Sequence, residues 1–189
     1  MKQNWKPGTM IYPLPAVMVT CGADSAEWNV MTASWTGTVC TNPAMCYVSI
    51  RPERHSFALV KKNMEFTINV TTQDLARATD WCGVKSGRDF DKFKKMHLTP
   101  VAGVTVKCPY IEESPLSVEC RVKQILDLGS HSMFIAEVLN VIADDRYIDP
   151  VTGRFDLETA RLLVYSHGHY YAMGERIGRF GWTVQKKKK

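Results

Sequence analysis

What this chain lacks narrows its chemistry first. None of its six cysteines, at 21, 40, 46, 82, 108 and 120, forms a Cys-x-x-Cys pair or sits at zinc-finger spacing with a histidine. Several fall in apolar, strand-like runs, where a thiol acts as a small hydrophobe, so mostly structural free thiols are expected. No run approaches the roughly 20 apolar residues that cross a membrane. The lysines of Met1 to Pro7 are followed by no apolar stretch with a small-residue cleavage site, so a cytoplasmic protein is the expectation. There is no internal repeat, no glycine-rich phosphate loop, and no strand–helix alternation that would indicate a dinucleotide-binding doubly wound sheet. Net positive charge is also scarce within the fold. The formal net charge is +5, and the four lysines Lys186 to Lys189 supply +4 of it. A nucleic-acid binder carries a basic face within its fold; here no nucleic-acid or membrane contact is expected, and the basic tail 186–189 reads as a frayed, disordered end.

What is present reads mainly as strands. The run Ala16 to Cys21 and the segment Asn29 to Thr36 read as a hairpin across the polar turn Gly22 to Glu27. Met45 to Arg51 follows the Asn42-Pro43 turn signal, and Pro52 stops it. Glu65 to Val70, Ser117 to Asp127, Met133 to Ile142 and Leu162 to Ser166 complete the strands. In Ser117 to Asp127, Val118, Cys120 and Val122 face one way and Ser117, Glu119, Arg121 and Lys123 the other, the pattern of a half-exposed antiparallel strand. Helices are expected at His55 to Lys62, at Gln73 to Trp81 closed by Gly83, and at Arg88 to Lys95. Short strands with helices inserted make a closed or nearly closed β-barrel with peripheral helices the expected architecture, in a single domain over 1–185.

Four segments carry candidate chemistry. First, a strand ends at Ser49-Ile50-Arg51, and a helix starts near Ser56 after Pro52-Glu53-Arg54-His55. Helix N-termini offer unpaired N–H groups to anions; Ser56 suits a cap or a phosphate ligand, and Arg51 and Arg54 suit charge-assisted bonds. Second, Asn29 to Trp35 places Asn29, Met31, Ala33 and Trp35 on one face and Thr32 and Ser34 on the other. Small polar residues beside an aromatic suit a flat, heteroatom-rich ring. Third, Ser86-Gly87-Arg88-Asp89-Phe90-Asp91-Lys92-Phe93 breaks the chain and brings Lys92 as a phosphate or ring-oxygen contact. Fourth, Gly129-Ser130-His131 opens a long strand, with His131 at its mouth. Each segment alone also suits ordinary structure: a capped helix, a half-buried strand, a surface helix, a solvated histidine.

Taken in order, these segments with Glu65 to Val70 and Gly129 to Val138 resemble the flavin reductase-like family of FMN-binding split barrels, most nearly its flavoredoxin branch. Trp5-Lys6-Pro7-Gly8-Thr9, Tyr12-Pro13-Leu14-Pro15 and the aromatic, Gly-rich end Tyr165 to Gly181 belong to the same resemblance. It covers nearly the whole chain. It implies a mainly β, Greek-key split barrel with peripheral helices, holding FMN. Asn29, Thr32, Ala33, Ser34 and Trp35 would line the ring and its chain. Ser49, Ile50, Arg51, Arg54, His55 and Ser56 would form the phosphate end. Lys92 would add positive charge near the flavin, His131 would close over the ring edge as the catalytic candidate, and Tyr165 would come from the last strand. Lys92 or His131 would stabilise charge on the ring. No metal is implied. The family implies a homodimer with FMN near the subunit interface. Its members that oxidise NAD(P)H often carry Gly-Asp-His and a later glycine; Ser130 and Ala136 stand at those positions here. Three activities stay open: an NAD(P)H-linked flavin reductase passing electrons to free flavin or another acceptor, an electron carrier with tightly held FMN serving a redox partner protein, or a barrel binding a different ligand.

Overall fold

The computed structural model describes residues 1–185; the expectation for the tail 186–189 lies outside them. In chain order the strands and helices are β1 (Leu14–Pro15), β2 (Val17–Cys21), β3 (Asn29–Ala33), β4 (Thr36–Cys40), β5 (Met45–Ile50), α1 (His55–Asn63), β6 (Glu65–Val70), α2 (Ala76–Val84), α3 (Lys92–Met96), β7 (Pro100–Val101), β8 (Tyr110–Ile111), β9 (Leu116–Asp127), β10 (Ser132–Ala143), β11 (Leu163–Ser166) and β12 (His169–Ala172). Seven strands form one sheet in the order β3-β2-β6-β9-β10-β5-β4, all pairs antiparallel. The sheet curls into a half barrel. Register shifts in β9–β10, at Ile135/Ala136 and Val138/Asn140, supply the extra twist that curling needs.

Two apolar layers hold the sheet. Inside the curl, Val19, Val48, Ile50, Phe66, Cys120 and Phe134 are packed together, and α1 plugs the opening with Val60, Phe57 and Leu59. The Phe57 and Phe134 rings meet edge to face at 5.4 Å. Outside it, Met18 and Val30 pack against Leu75, Ala78 and Cys82 of α2 and Phe93 of α3. Each fully buried side chain of this size contributes about 1.5–3 kcal/mol. Alternation along β2 and β3 feeds both layers, so neither strand has a wet face. All six thiols are free and five are buried, in keeping with their apolar strand positions.

Four local differences from the sequence reading have physical causes. The segment Asn29 to Thr36 is not one strand: it bends at Ser34-Trp35, and β4 then pairs with β5. The bend is fixed where the Ser49 N–H donates to the Trp35 carbonyl at 2.8 Å. Second, α2 runs three residues later than expected, and Gly83 lies inside it. The glycine serves packing: a Cβ there would sit 3.2 Å from the Thr32 Cβ on β3. Third, α3 begins only at Lys92, because the Asp91 carboxylate caps it by accepting from the Lys94 N–H at 3.0 Å. Fourth, the polar face of β9 is not exposed at its first half. Glu119 is fully buried and accepts from Val104 N–H (2.6 Å), Thr105 N–H (2.9 Å), Thr105 Oγ1 (2.6 Å) and Asn140 Nδ2 (3.2 Å). Burial raises its pKa, but these donors outweigh burial and hold the carboxyl below its ordinary value.

A second sheet, β1-β11-β12, is anchored beside the first by the Leu163 N–H donating to the Thr71 carbonyl at 3.0 Å. It delivers Tyr165, opposite Leu14, to the site. None of the described helices is long and apolar enough to cross a membrane.

Candidate functional site

A groove runs along β3, from the turn before α1 to the Trp35 bend. It consists of two cavities of about 210 Å³ each that share Met31, Arg51 and Arg54. The first, the cationic end, is lined by Asn29, His55, Ser56 and Lys92, together with Glu53 and the segment Val84 to Arg88. The second, the aromatic end, is lined by Thr32, Ala33, Ser34, Trp35, Ser49, His131 and Tyr165. The structure therefore brings thirteen of the fourteen residues singled out from sequence to one continuous groove. Ile50 is the exception. Its side chain is fully buried in the barrel core and lines neither cavity, because alternation on β5 turns it away from Ser49.

The cationic end is built from buried, fixed groups. Asn29 Nδ2 donates to Ser56 Oγ at 2.7 Å, and the two residues are 5 % and 1 % exposed. Ser56 thus does not cap α1, as its sequence position suggested. Arg54 holds the cap position with extended backbone, and no side chain caps the helix. The first N–H groups of α1 keep their partial positive charge at the groove. Arg54 Nη1 donates to the Gly83 carbonyl at 2.8 Å, and Lys92 Nζ to the Cys82 carbonyl at 2.8 Å. Both cations are oriented by the C-terminal carbonyls of α2.

Charge at this end is unbalanced. Lys92 is 4 % exposed, yet among the described residues no carboxylate lies within 4 Å of Lys92, Arg54 or Arg88. Burial pulls its pKa down to about 8; the Cys82 and Cys21 thiols oppose that shift, and Arg54 adds to it. Burial, then Arg88 and Lys92, likewise push His55 below the ordinary imidazole value. Among the described residues the only carboxylate lining the cavity is Glu53, paired with Arg51 at 3.2 Å. That pair is half exposed and sits at the rim, so it does not fill the hollow. A buried lysine without a counter-ion is costly unless an anion completes the site.

The aromatic end differs in kind. Trp35 is 37 % exposed, and its ring lies 4.4 Å from the His131 imidazole, tilted by 39°. Burial and the neighbouring Arg51 lower the His131 pKa; Glu53 opposes this and Arg54 adds to it. His131 Nδ1 lies 3.0 Å from Ser130 Oγ. Thr32 is turned toward α2, its hydroxyl donating to the Thr79 carbonyl. Positive charge near this end comes from Arg51 and Arg54. Lys92 lines the other end, while His131 lines this one. Sequence reasoning named Met31, Glu53 and Gly87 only as neighbours within their segments and did not name Lys85. The Ser86-Gly87 break was visible, but the close approach it permits was not.

The curled seven-stranded antiparallel sheet, with an open groove along its first hairpin, has the split-barrel fold. A model of the flavin reductase like domain matches residues 9–174, and the chain belongs to that family. An uncharacterized protein of Archaeoglobus fulgidus is 33% identical over 158 residues, 84% of this chain and 86% of that one. Among solved structures, flavoredoxin of Desulfovibrio vulgaris (Miyazaki F) is similar with a TM-score of 0.89 and 28% identity, covering 98% of this chain and 100% of that one. Flavoredoxin from Methanosarcina acetivorans shares the fold with a TM-score of 0.87 at 24% identity, again covering 98% of this chain and 100% of that one.

Proposed function

We propose that this protein is an FMN-binding redox protein that takes electrons from NAD(P)H and passes them to free flavin or another acceptor. One observation carries the reading: a cationic cluster, with Lys92 buried and facing no carboxylate among the described residues, closes one end of a groove whose other end is aromatic. The donor set fits a flavin mononucleotide. Arg51, Arg54, Lys92, Ser56 and the α1 N-terminus would hold its phosphate. Ala33, Ser34 and Ser49 would meet the ring, with Trp35, His131 and Tyr165 around it. When bound, FMN supplies the capacity to accept and release electrons.

The protein's own groups position and tune that chemistry. Arg51 and Arg54 reach both cavities and favour negative charge at the ring end. His131, held against Trp35, would act as a hydrogen-bonding wall and exclude water. The likeness to the Desulfovibrio vulgaris flavoredoxin supports a second reading, an electron carrier with tightly held FMN that serves a partner protein. The visible spectrum of the purified protein and steady-state NAD(P)H oxidation test these. Two flavin bands with NAD(P)H turnover stimulated by free FMN support the reductase. Bands without turnover support the carrier. Colourless protein that takes up no FMN refutes both.

A homodimer and a cytoplasmic site belong to the same proposal, as does a single domain over 1–185. Exposed Trp5, Ile11, Ile177, Phe180 and Trp182 near the two chain ends support self-association. Light scattering on the full chain tests it, with twice the 21.4 kDa chain mass as the expected result.

A further inference from the structure

We infer that Asn29 and Gly87 form a partition that ends the groove and selects a mononucleotide over a dinucleotide flavin. This rests on the flavin reading above. Beyond the cationic end lies a larger cavity of about 680 Å³, with Trp28, Leu59, Phe90 and Phe93 in its walls. Asn29, His55, Gly87 and Lys92 line both cavities and so separate them. The larger space is roomy and aromatic enough for an adenosine. Only the wall stands between it and the phosphate end.

That wall is thin and fixed. Gly87 lies so close to Asn29 that a Cβ on it would stand 2.0 Å from Asn29 Oδ1 and 2.7 Å from its Cγ. Asn29 cannot swing aside cheaply, because it donates to buried Ser56. Lys92 is held by the Cys82 carbonyl. A terminal phosphate stops at this wall, against Lys92. A dinucleotide must thread its pyrophosphate through it, displacing Asn29 and leaving Ser56 without its donor. Breaking a buried hydrogen bond of this kind costs enough to shift binding about tenfold. The discrimination is thus one of closure rather than of charge, since FAD is also anionic.

Affinities of the full-length protein for FMN, FAD and riboflavin, read from flavin fluorescence, test this. The wild type is expected to bind FMN about tenfold more tightly than FAD. Asn29→Gly opens the wall and should bring the two affinities together by about fivefold. Gly87→Ala should weaken FMN, and the double substitution should recover part of that loss, because the colliding partner is gone. Circular dichroism checks that each variant folds. Equal affinity of the wild type for FMN and FAD overturns the inference, as does an unchanged ratio in folded Asn29→Gly. If Asn29→Gly does not fold, the wild-type ratio and the effect of Gly87→Ala decide. Failure of all three flavins to bind overturns the flavin reading itself, which FMN and FAD binding equally does not.

Discussion

The two ends of the groove are made of the same sheet but differ in how they are held. At the cationic end, Asn29, Ser56 and Lys92 are each at most 5 % exposed and each is fixed by a hydrogen bond at 2.7–2.8 Å. At the aromatic end, Trp35 stands at a bend, His131 opens a strand, and Tyr165 arrives from a separate small sheet. A rigid, desolvated end suits affinity, because its groups need no reordering when an anion arrives. An open, aromatic end suits encounter with donors and acceptors. On the proposed reading, the tail of the ligand would be gripped and its ring left reachable.

Substitutions that break one end should therefore fail differently from those that break the other. The largest effect is expected for Lys92→Met, which keeps the buried stem and removes the charge. FMN affinity should fall about 10- to 100-fold, the range of a buried charge-assisted bond, while riboflavin affinity barely moves. Parallel titrations measure both. Equal losses would mean that Lys92 only supports the fold.

Next in size is a pH effect at the same end. The Lys92 pKa is lowered to about 8 by burial. A bound anion favours the charged amine, so binding takes up a proton once the free protein has lost it. FMN affinity is expected to hold near pH 7 and decline as pH rises through 8, by up to about 30-fold at pH 9.5. The decline should vanish in Lys92→Met. The same group acts on stability with opposite sense. The folded form disfavours the charged amine, so stability rises with pH between about 8 and the unfolded lysine value of about 10.4.

At the aromatic end, Trp35→Leu should cost only a few-fold in FMN affinity, by removing one stacking face. It should change the rate of electron exchange with a donor more than it changes affinity. Stopped-flow reduction beside equilibrium titration separates the two; a loss of affinity as large as in Lys92→Met would erase the distinction between the ends. The smallest effect is expected at the rim. Glu53→Gln frees Arg51 from its half-exposed pair, and FMN should bind about two- to threefold more tightly at low salt.

Much of this architecture is legible in the amino-acid sequence. Thr- and Val-rich runs mark the strands, and the helix at His55 ends within one residue of its expected position. The grouping of distant segments into one groove comes from the ordered set of motifs, which the barrel brings together. Periodicity cannot show the bend at Trp35, because a strand that turns a corner keeps its β-rich composition. Ile50, named through the resemblance alone, turns its side chain into the core, as alternation along its strand requires. Ser56 reads as a cap because serine commonly is one; its partner is Asn29, 27 residues earlier in the chain. Gly83 and Gly87 read as breaks, whereas both exist for close packing, against Thr32 and Asn29. Such contacts depend on tertiary neighbours and leave no local periodic trace.

The central claim is that an anionic tail is gripped at the Lys92 end. Titration of the wild-type protein with FMN and with riboflavin, in one buffer at pH 7, tests it most directly. The account expects FMN to bind about 100-fold more tightly, since the two ligands differ only by the phosphate that this end would hold. Equal affinities for the two, or affinity for neither, would contradict it.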